Sequence, residues 1–411
     1  MYSYDIEWTV NDDGAQNRRL ILHLPQKVKI GEVAPSAFSV YVERKNENGE
    51  LMYVRPRWNA PEEVLSRGYR SVLAAYPSDE KGSPLLEGDC ITLELDMQDD
   101  QSRALVGKLT GNIFVDSFYR VTQIRPIGEL CGMVFDEAGK VFCPEAERYT
   151  STVSSFEPLP LKYSYFTPLE AENGKPLPCI IWLHGAGEGG EDPRVSYLGN
   201  RVTALSSEPV QGYMGGAWVL VPTSPTIWMD DGSHNDYANA TTGKSMYSDA
   251  LFALISEFVE NHAVDRDRIY VGGCSNGGFM TLRLLIDNPG YFAAGFPMCE
   301  ALADRFISDD DIQKIKDTPI WFLHAMTDGV VDPEATSLPT YQRLIAAGAE
   351  NVHFTYIDDR PPFNREVNHG CWPIGLNDEH NYDFNGETVR IDGRPVTRFQ
   401  WLAAMRKKGR K

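Results

Sequence analysis

Residues 270–280 read YVGGCSNGGFM, a single serine among glycines, with Ile269, Tyr270 and Val271 before it and Met280, Leu282, Leu284 and Leu285 at helical spacing after it. A strand that turns sharply into a helix crowds its own backbone. Only residues without a bulky Cβ substituent then fit two positions before and after the apex. Gly273, Cys274, Ser275, Asn276 and Gly277 meet that G-x-S-x-G requirement, and the turn pushes the Ser275 hydroxyl outward. The competing reading is a glycine-rich turn without chemistry, so the rest of the chain has to supply partners.

From about residue 177 the sequence runs strand, loop, helix. Apolar strand segments lie at 178–184 (PCIIWLH), 217–222 (AWVLVP), 268–272 (RIYVG), 292–298 (FAAGFPM), 319–324 (PIWFLH) and 352–357 (VHFTYI). Between them, residues 248–261 place Ala250, Leu251, Leu254, Ile255, Phe258 and Val259 on one helical face. Buried strands alternating with amphipathic helices predict an α/β architecture with a parallel, doubly wound sheet. Up to about residue 122 the rhythm is different. Short alternating runs such as RLILHLP (19–25), SAFSVYVER (36–44) and DCITLELDM (89–97), separated by turn residues, predict a smaller antiparallel β-sandwich. A hairpin is expected through Asn48 and Gly49. The expected domains are 1–122 and 123–411, with antiparallel entry strands of the second sheet before residue 177.

A chain of 411 residues is long enough for two cores. Its 39 basic and 58 acidic residues give a formal charge of −19, which argues against nucleic-acid or anionic-membrane partners. Seven cysteines are too few for a disulfide framework and point to reduced thiols. The first residues lack a basic segment followed by an apolar one, and no run is long enough to span a bilayer, so a cytoplasmic location is expected. Asn239, Ala240 and Thr241 form a glycosylation acceptor by pattern but read as a polar loop.

An activated serine needs a base, an orienting acid and donors for an oxyanion. The stretch WLHGAGEGGED (182–192) offers Gly185, Ala186 and Gly187, whose backbone N–H groups can approach a developing charge, with the Asn276 N–H as a second donor. It lacks the Lys and Ser/Thr of a phosphate-binding P-loop. In PIWFLHAMTDGVVDP (319–333), Asp328 and Asp332 compete for the role of acid. Among eight histidines, only His369 and His380 lie in loops after the last strand. His324 and His353 sit in strand patterns, His262 ends a helix and His184 belongs to the glycine loop, so structural roles are expected for these four. The order Ser275, Asp328, His369 is the one an α/β-hydrolase requires.

The stretches LHGAGEGG, PTSPTIW, DRDRIYVGGCSNGGFM, FLHAMTDGVVDP and NHGCW, spanning most of residues 160–375, resemble the α/β-hydrolase carboxylesterases related to polyhydroxybutyrate-depolymerase-like and phospholipase/carboxylesterase-type enzymes. The branch resembled carries an immunoglobulin-like N-terminal domain. This resemblance implies Ser275 as nucleophile, Asp328 as acid, His369 as base, and Ala186 and Asn276 as oxyanion donors. It also implies an acyl-enzyme mechanism on small-molecule esters, with no cofactor, and an N-terminal domain that serves oligomer assembly or shapes the site entrance. Gly189, Ala325 and Asp332 depart from the family pattern in loop detail. Trp228 and Trp372 are placed to line a substrate pocket. No metal is expected, because Asp230, Asp231 and Asp236 lack the spacing of a calcium loop. A peptidase of the same fold and a non-catalytic binding protein are the alternatives.

Overall fold

Strict alternation of burial along Phe38–Lys45, with Phe38, Val40, Val42 and Arg44 inward, sets the pattern of the first part of the chain. The computed structural model describes residues 2–46, 48–54, 62–99, 101–108, 111–233, 242–358 and 369–407. It divides into two compact units: Met1–Glu147 with Leu198–Asn200, and Arg148–Tyr197 with Arg201–Lys411.

The first unit holds β1 (Tyr2–Asn11), β2 (Gly14–Lys29), β3 (Phe38–Lys45), β4 (Arg67–Arg70), β5 (Val72–Ser78), β6 (Glu87–Leu95), β7 (Asp116–Gln123) and β8 (Val134–Phe142). They pair in the order β4-β3-β7-β8-β1-β2-β6-β5. Val40, Val42, Tyr119 and Val121 from one half close on Ile6, Leu20, Leu22, Ile91 and Leu93 from the other, which makes a single sandwich core. Two features differ from the sequence expectation. The β1–β8 pair is parallel rather than antiparallel. Because β8 also pairs with β7, the unit runs to Glu147 rather than stopping at 122. The reason is visible in β8 itself: only Phe135 along it is buried, so no apolar rhythm marks the segment, and backbone pairing holds it in place. The turn at Asn48 and Gly49 forms, with Asn46 N–H donating to Glu50 O, but its return segment Tyr53–Val54 pairs with Val64–Leu65 instead of lengthening the hairpin.

The second unit is built on β9 (Tyr149–Val153), β10 (Lys162–Phe166), β11 (Leu177–Leu183), β12 (Trp218–Thr223), β13 (Val264–Cys274), β14 (Ala294–Met298), β15 (Ile320–Ala325) and β16 (Val352–Ile357). Their order is β9-β10-β12-β11-β13-β14-β15-β16. The first two strands enter antiparallel and the remaining six are parallel. Helices α1 (Glu208–Met214), α2 (Ser248–Asn261), α3 (Asn276–Asp287), α4 (Asp309–Ile315), α5 (Ser337–Ala346), α6 (Trp372–Leu376) and α7 (Arg398–Ala404) connect or follow them. Alternate strand residues separate the two faces. Ile181, Val271 and Phe322 join Leu254, Phe258, Leu282 and Leu344 in one core. On the opposite face, Phe296 and Trp321 meet Phe399 and Trp401 of α7. Helices on both faces make the sheet doubly wound, as the strand and helix periodicities predict.

At the apex after β13, Gly273 and Gly277 are required by contact rather than by torsion. A Cβ on either would overlap the Leu183 carbonyl oxygen at the end of β11, a backbone atom that cannot move aside. We therefore expect Gly277→Ala to lower stability by about 3 kcal/mol, the upper range for overpacking. Gly212 gives the opposite case, because it is exposed in α1 with open space where a Cβ would go. Gly212→Ala should raise stability by about 0.5–1 kcal/mol through helix propensity alone. Urea midpoints of the two variants, moving in opposite directions, check both statements.

Candidate active site

Parallel strands of an open α/β sheet end at one edge, and loops leaving that edge can bring distant residues together. Ser275 leaves β13 at φ +54° and ψ −117°, a left-handed conformation that costs a non-glycine residue about 1–3 kcal/mol. Its N–H donates to the Met298 carbonyl at the end of β14. Helix α3 starts at the next residue, so the Asn276 N–H has no acceptor within its helix, and the positive end of the helix dipole lies at the serine.

Asp328 follows β15, and His369 lies in the loop after β16. His369 Nε2 is 2.7 Å from Ser275 Oγ, and Nδ1 is 2.8 Å from Asp328 Oδ2. The carboxylate can only accept, so Nδ1 carries the hydrogen. Nε2 is then free to accept from the serine hydroxyl. Asp328 Oδ1 accepts the N–H groups of Val330 and Val331, each at 2.9 Å. Burial raises the Asp328 pKa. The hydrogen bonds from His324 and His369, the attraction of His369 and the Val331 N–H outweigh it and hold the carboxyl well below the usual carboxylate range.

Asp332 takes no part in this network. Its Oδ1 accepts the Glu334 N–H, and it shapes the turn that leads toward α5. His380 is also elsewhere, its carbonyl accepting from Thr355 Oγ1. In the glycine loop, the His184 Nδ1–H donates to Gly185 O at 2.7 Å, and Nε2 accepts the Ser224 N–H at 3.0 Å. Burial pulls this imidazole down to about 4 against the opposing pull of the Gly185 bond, so it stays neutral and structural. Gly185 N–H donates to Glu188 Oε2, which shapes the turn Ala186–Glu188 holding the first expected oxyanion donor.

The two tryptophans part company. Trp372 opens α6 with its ring 5.5 Å from that of His369, edge to face, beside the reacting groups. Trp228 corrects the pocket expectation, because it is fully buried, packed on His184 at 5.1 Å and edge-on to Tyr247. The cause is the loop after β12. Asn276 Oδ1 accepts the Met229 N–H and Thr226 Oγ1 bonds Tyr247 Oη, which turns the intervening tryptophan inward.

Three features of the site escaped sequence reasoning. The Asn276 side chain tethers the Met229 loop, in addition to its backbone position. His324 donates to the same Asp328 oxygen as His369, at 3.0 Å. Its signal was the spacing of a histidine near the end of a strand, four residues before the acid, which a turn folds back. Finally, the Cys299 thiol donates to the His369 carbonyl at 3.3 Å and lies 3.3 Å from Cys371 Sγ. Residues from β14 and β16 loops that are far apart in sequence carry no local signal of that contact.

Cys299, Asp328 and His369 present ligand-type atoms within 4.8 Å of one another. The Asp328 oxygens are already engaged by four N–H donors, so the cluster reads as a hydrogen-bonded network, not a metal cradle. Asp230 accepts from Thr226 Oγ1 and the Gly232 N–H, and Asp231 from the Ser233 N–H, as turn-forming carboxylates do. Asp236 and the Asn239 acceptor pattern lie outside the described residues.

Residues 4–136 match the esterase Ig-like N-terminal domain, and residues 232–302, which include Ser275, match the prolyl oligopeptidase family. A probable chloroplastic glutamyl endopeptidase of Arabidopsis thaliana is 30% identical over 124 residues, 29% of this chain. The match spans only 12% of that protein's length. A thermostable esterase of known structure superposes with a TM-score of 0.78 at 21% identity, covering 98% of this chain and 99% of the other. The chain thus carries an N-terminal domain of the esterase Ig-like kind followed by an α/β-hydrolase fold, with a segment around Ser275 that matches a serine-hydrolase-type family.

Proposed function

We propose that this protein hydrolyses carboxylic esters of small molecules through an acyl-enzyme on Ser275. One observation carries the reading: a continuous hydrogen-bond path from Ser275 Oγ through the His369 ring to the Asp328 carboxylate, at 2.7 and 2.8 Å. In the proposed cycle Ser275 Oγ attacks the ester carbonyl as His369 Nε2 takes its proton. The tetrahedral oxyanion is held by the N–H groups of Ala186 and Asn276. His369 then returns the proton to the leaving alcohol, and water repeats the sequence on the acyl-enzyme. Asp328 keeps the imidazole in the productive tautomer and balances the imidazolium. These steps call for no cofactor. Trp372, whose ring lies 5.5 Å from that of His369, is the side chain we assign to substrate contact. All seven cysteines are free, which fits a reducing compartment such as the cytoplasm.

A peptidase is the second reading, favoured by the prolyl oligopeptidase match over residues 232–302 and by the endopeptidase relative. The Ig-like domain at residues 4–136, of a kind described from esterases, supports the ester reading over it. Acyl esters graded in chain length, aryl esters and acetylated sugars, assayed beside aminoacyl-anilides, separate the two. The expected result is turnover of at least one ester class at a higher kcat/KM than any anilide. The reverse ranking would make the peptidase reading correct.

Ser275→Ala should lower ester turnover by about 10⁶-fold with the fold intact. A serine-directed phosphonate should label Ser275 alone, as peptide mass mapping will show. Labelling at another serine would remove the nucleophile assignment.

The base works as a neutral imidazole, so protonation abolishes it. kcat/KM should accordingly fall on the acid side of its pH profile, as expected of a reaction that needs an unprotonated general base. Asp328→Asn should lower kcat by about 10⁴-fold by losing the tautomer control, whereas Asp332→Asn, outside the network, should cost less than about tenfold. Reversed losses would transfer the acid role to Asp332.

A further inference from the structure

We propose that His324 is a positioning residue for the reaction, acting through the Asp328 carboxylate to set the orientation and basicity of His369. This rests on the hydrolase reading above and adds a residue to it. His324, the last residue but one of β15, is fully buried, with Nε2 at 3.0 Å from Asp328 Oδ2 and 3.1 Å from the Val331 carbonyl oxygen. Both neighbours of Nε2 only accept, so Nε2 carries a hydrogen. Nδ1 lies 2.7 Å from Ser337 Oγ, buried at the start of α5, and accepts from that hydroxyl when the ring is neutral. Three partners on two nitrogens fix the ring plane.

The consequence falls on one oxygen. Asp328 Oδ2 stands between two imidazoles and accepts from both, while Oδ1 is held by the Val330 and Val331 N–H groups. A carboxylate with this set of donors has one rotamer, and that rotamer points Oδ2 at His369 Nδ1. The proton donated by His324 also draws charge from the oxygen that faces His369. Without it, the Asp328 charge would act more fully on the imidazolium and raise the pKa of the base. Among the described residues, Cys299, just after β14, Cys371, before α6, and the buried Cys274 are other titratable groups near this point. Burial pushes the Cys299 thiol up, so it adds no charge. The path therefore runs Ser275, His369, Asp328, His324, Ser337. Its inner half touches no substrate.

The test compares wild type with His324→Leu, His324→Gln and Ser337→Ala, reading kcat, KM, the acid limb of kcat/KM, phosphonate labelling of Ser275 and the thermal melt. His324→Leu should lower kcat by about 10–100-fold, by analogy with the loss of partners that orient metal-ligating side chains. KM should change less than about threefold, and the acid limb should move up by about half a unit or more. His324→Gln, which keeps an N–H donor, should recover at least tenfold of the lost kcat and bring the limb back toward wild type. Ser337→Ala, which loosens the ring without deleting it, should move the limb the same way by less. A folded His324→Leu protein with wild-type kcat and limb would overturn the proposal, as would a Gln variant no better than Leu. If His324→Leu fails to fold, Ser337→Ala decides, and an unmoved limb with unchanged kcat in that folded variant refutes the proposal. Wild-type protein that takes no phosphonate at Ser275 would instead refute the hydrolase reading, and this proposal with it.

Discussion

The second unit depends on how closely the start of α3 is pressed against the end of β11. Side chains at positions 273 and 277 would overlap the Leu183 carbonyl oxygen, so only glycine lets the helix begin where it does. That approach forces Ser275 into a left-handed conformation, and it also stands the hydroxyl clear of the sheet. The strain is stored in a well-determined place. Ser275 N–H is fixed to Met298 O, the Asn276 side chain to Met229, and the following helix turns inward with nearly every residue buried. A local cost of a few kcal/mol is sustained because packing on both sides leaves the backbone no alternative.

The electrostatic problem at the site is an ionised carboxylate out of water. Removing such a group from solvent costs several kcal/mol even after relaxation. Hydrogen bonds to a charged group contribute about 1.5–3 kcal/mol each, and Asp328 has four N–H donors, so pairing outweighs burial. That is why its carboxyl is held below the ordinary range although burial acts in the other direction. His184 lies at the opposite extreme. It is fully buried and meets the Gly185 carbonyl, the Ser224 N–H and the Ser224 hydroxyl but no carboxylate, so burial wins and it remains neutral. Identical side chains at two strand ends thus divide into a framework group and a group beside a fixed charge.

Much of this was legible in the sequence, for physical reasons that also mark the limits. Parallel strands buried on both faces read as continuous apolar runs, and helix α2 coincides with the periodic segment 248–261. The elbow was legible because close approach admits only glycine. The strand β8 was not, since it is held by main-chain bonds and exposes most of its side chains. Trp228 was misread because distance along the chain from β12 says nothing about which way a tethered loop turns a side chain. His324 was missed for a related reason. A histidine in an apolar strand looks like a core residue until the turn after β15 brings Asp328 back over it.

His369 lies outside regular secondary structure, yet it has to meet two groups at hydrogen-bond distance. Its ring is held at both nitrogens, and its main chain is held as well, by the Cys299 thiol on its carbonyl. Cys371 N–H also donates to that carbonyl, closing a tight turn into α6, and Cys371 Sγ rests against Cys299. Cys299 itself adopts φ +39°, a conformation that bends the chain immediately after β14 and brings its sulfur beneath the loop. The base is therefore fixed from the sheet side through one thiol and from the helix side through Trp372, whose edge-to-face contact limits how far the ring can tilt. An imidazole outside regular secondary structure is thus positioned because its own backbone and its immediate neighbours are tied to the rigid strand ends.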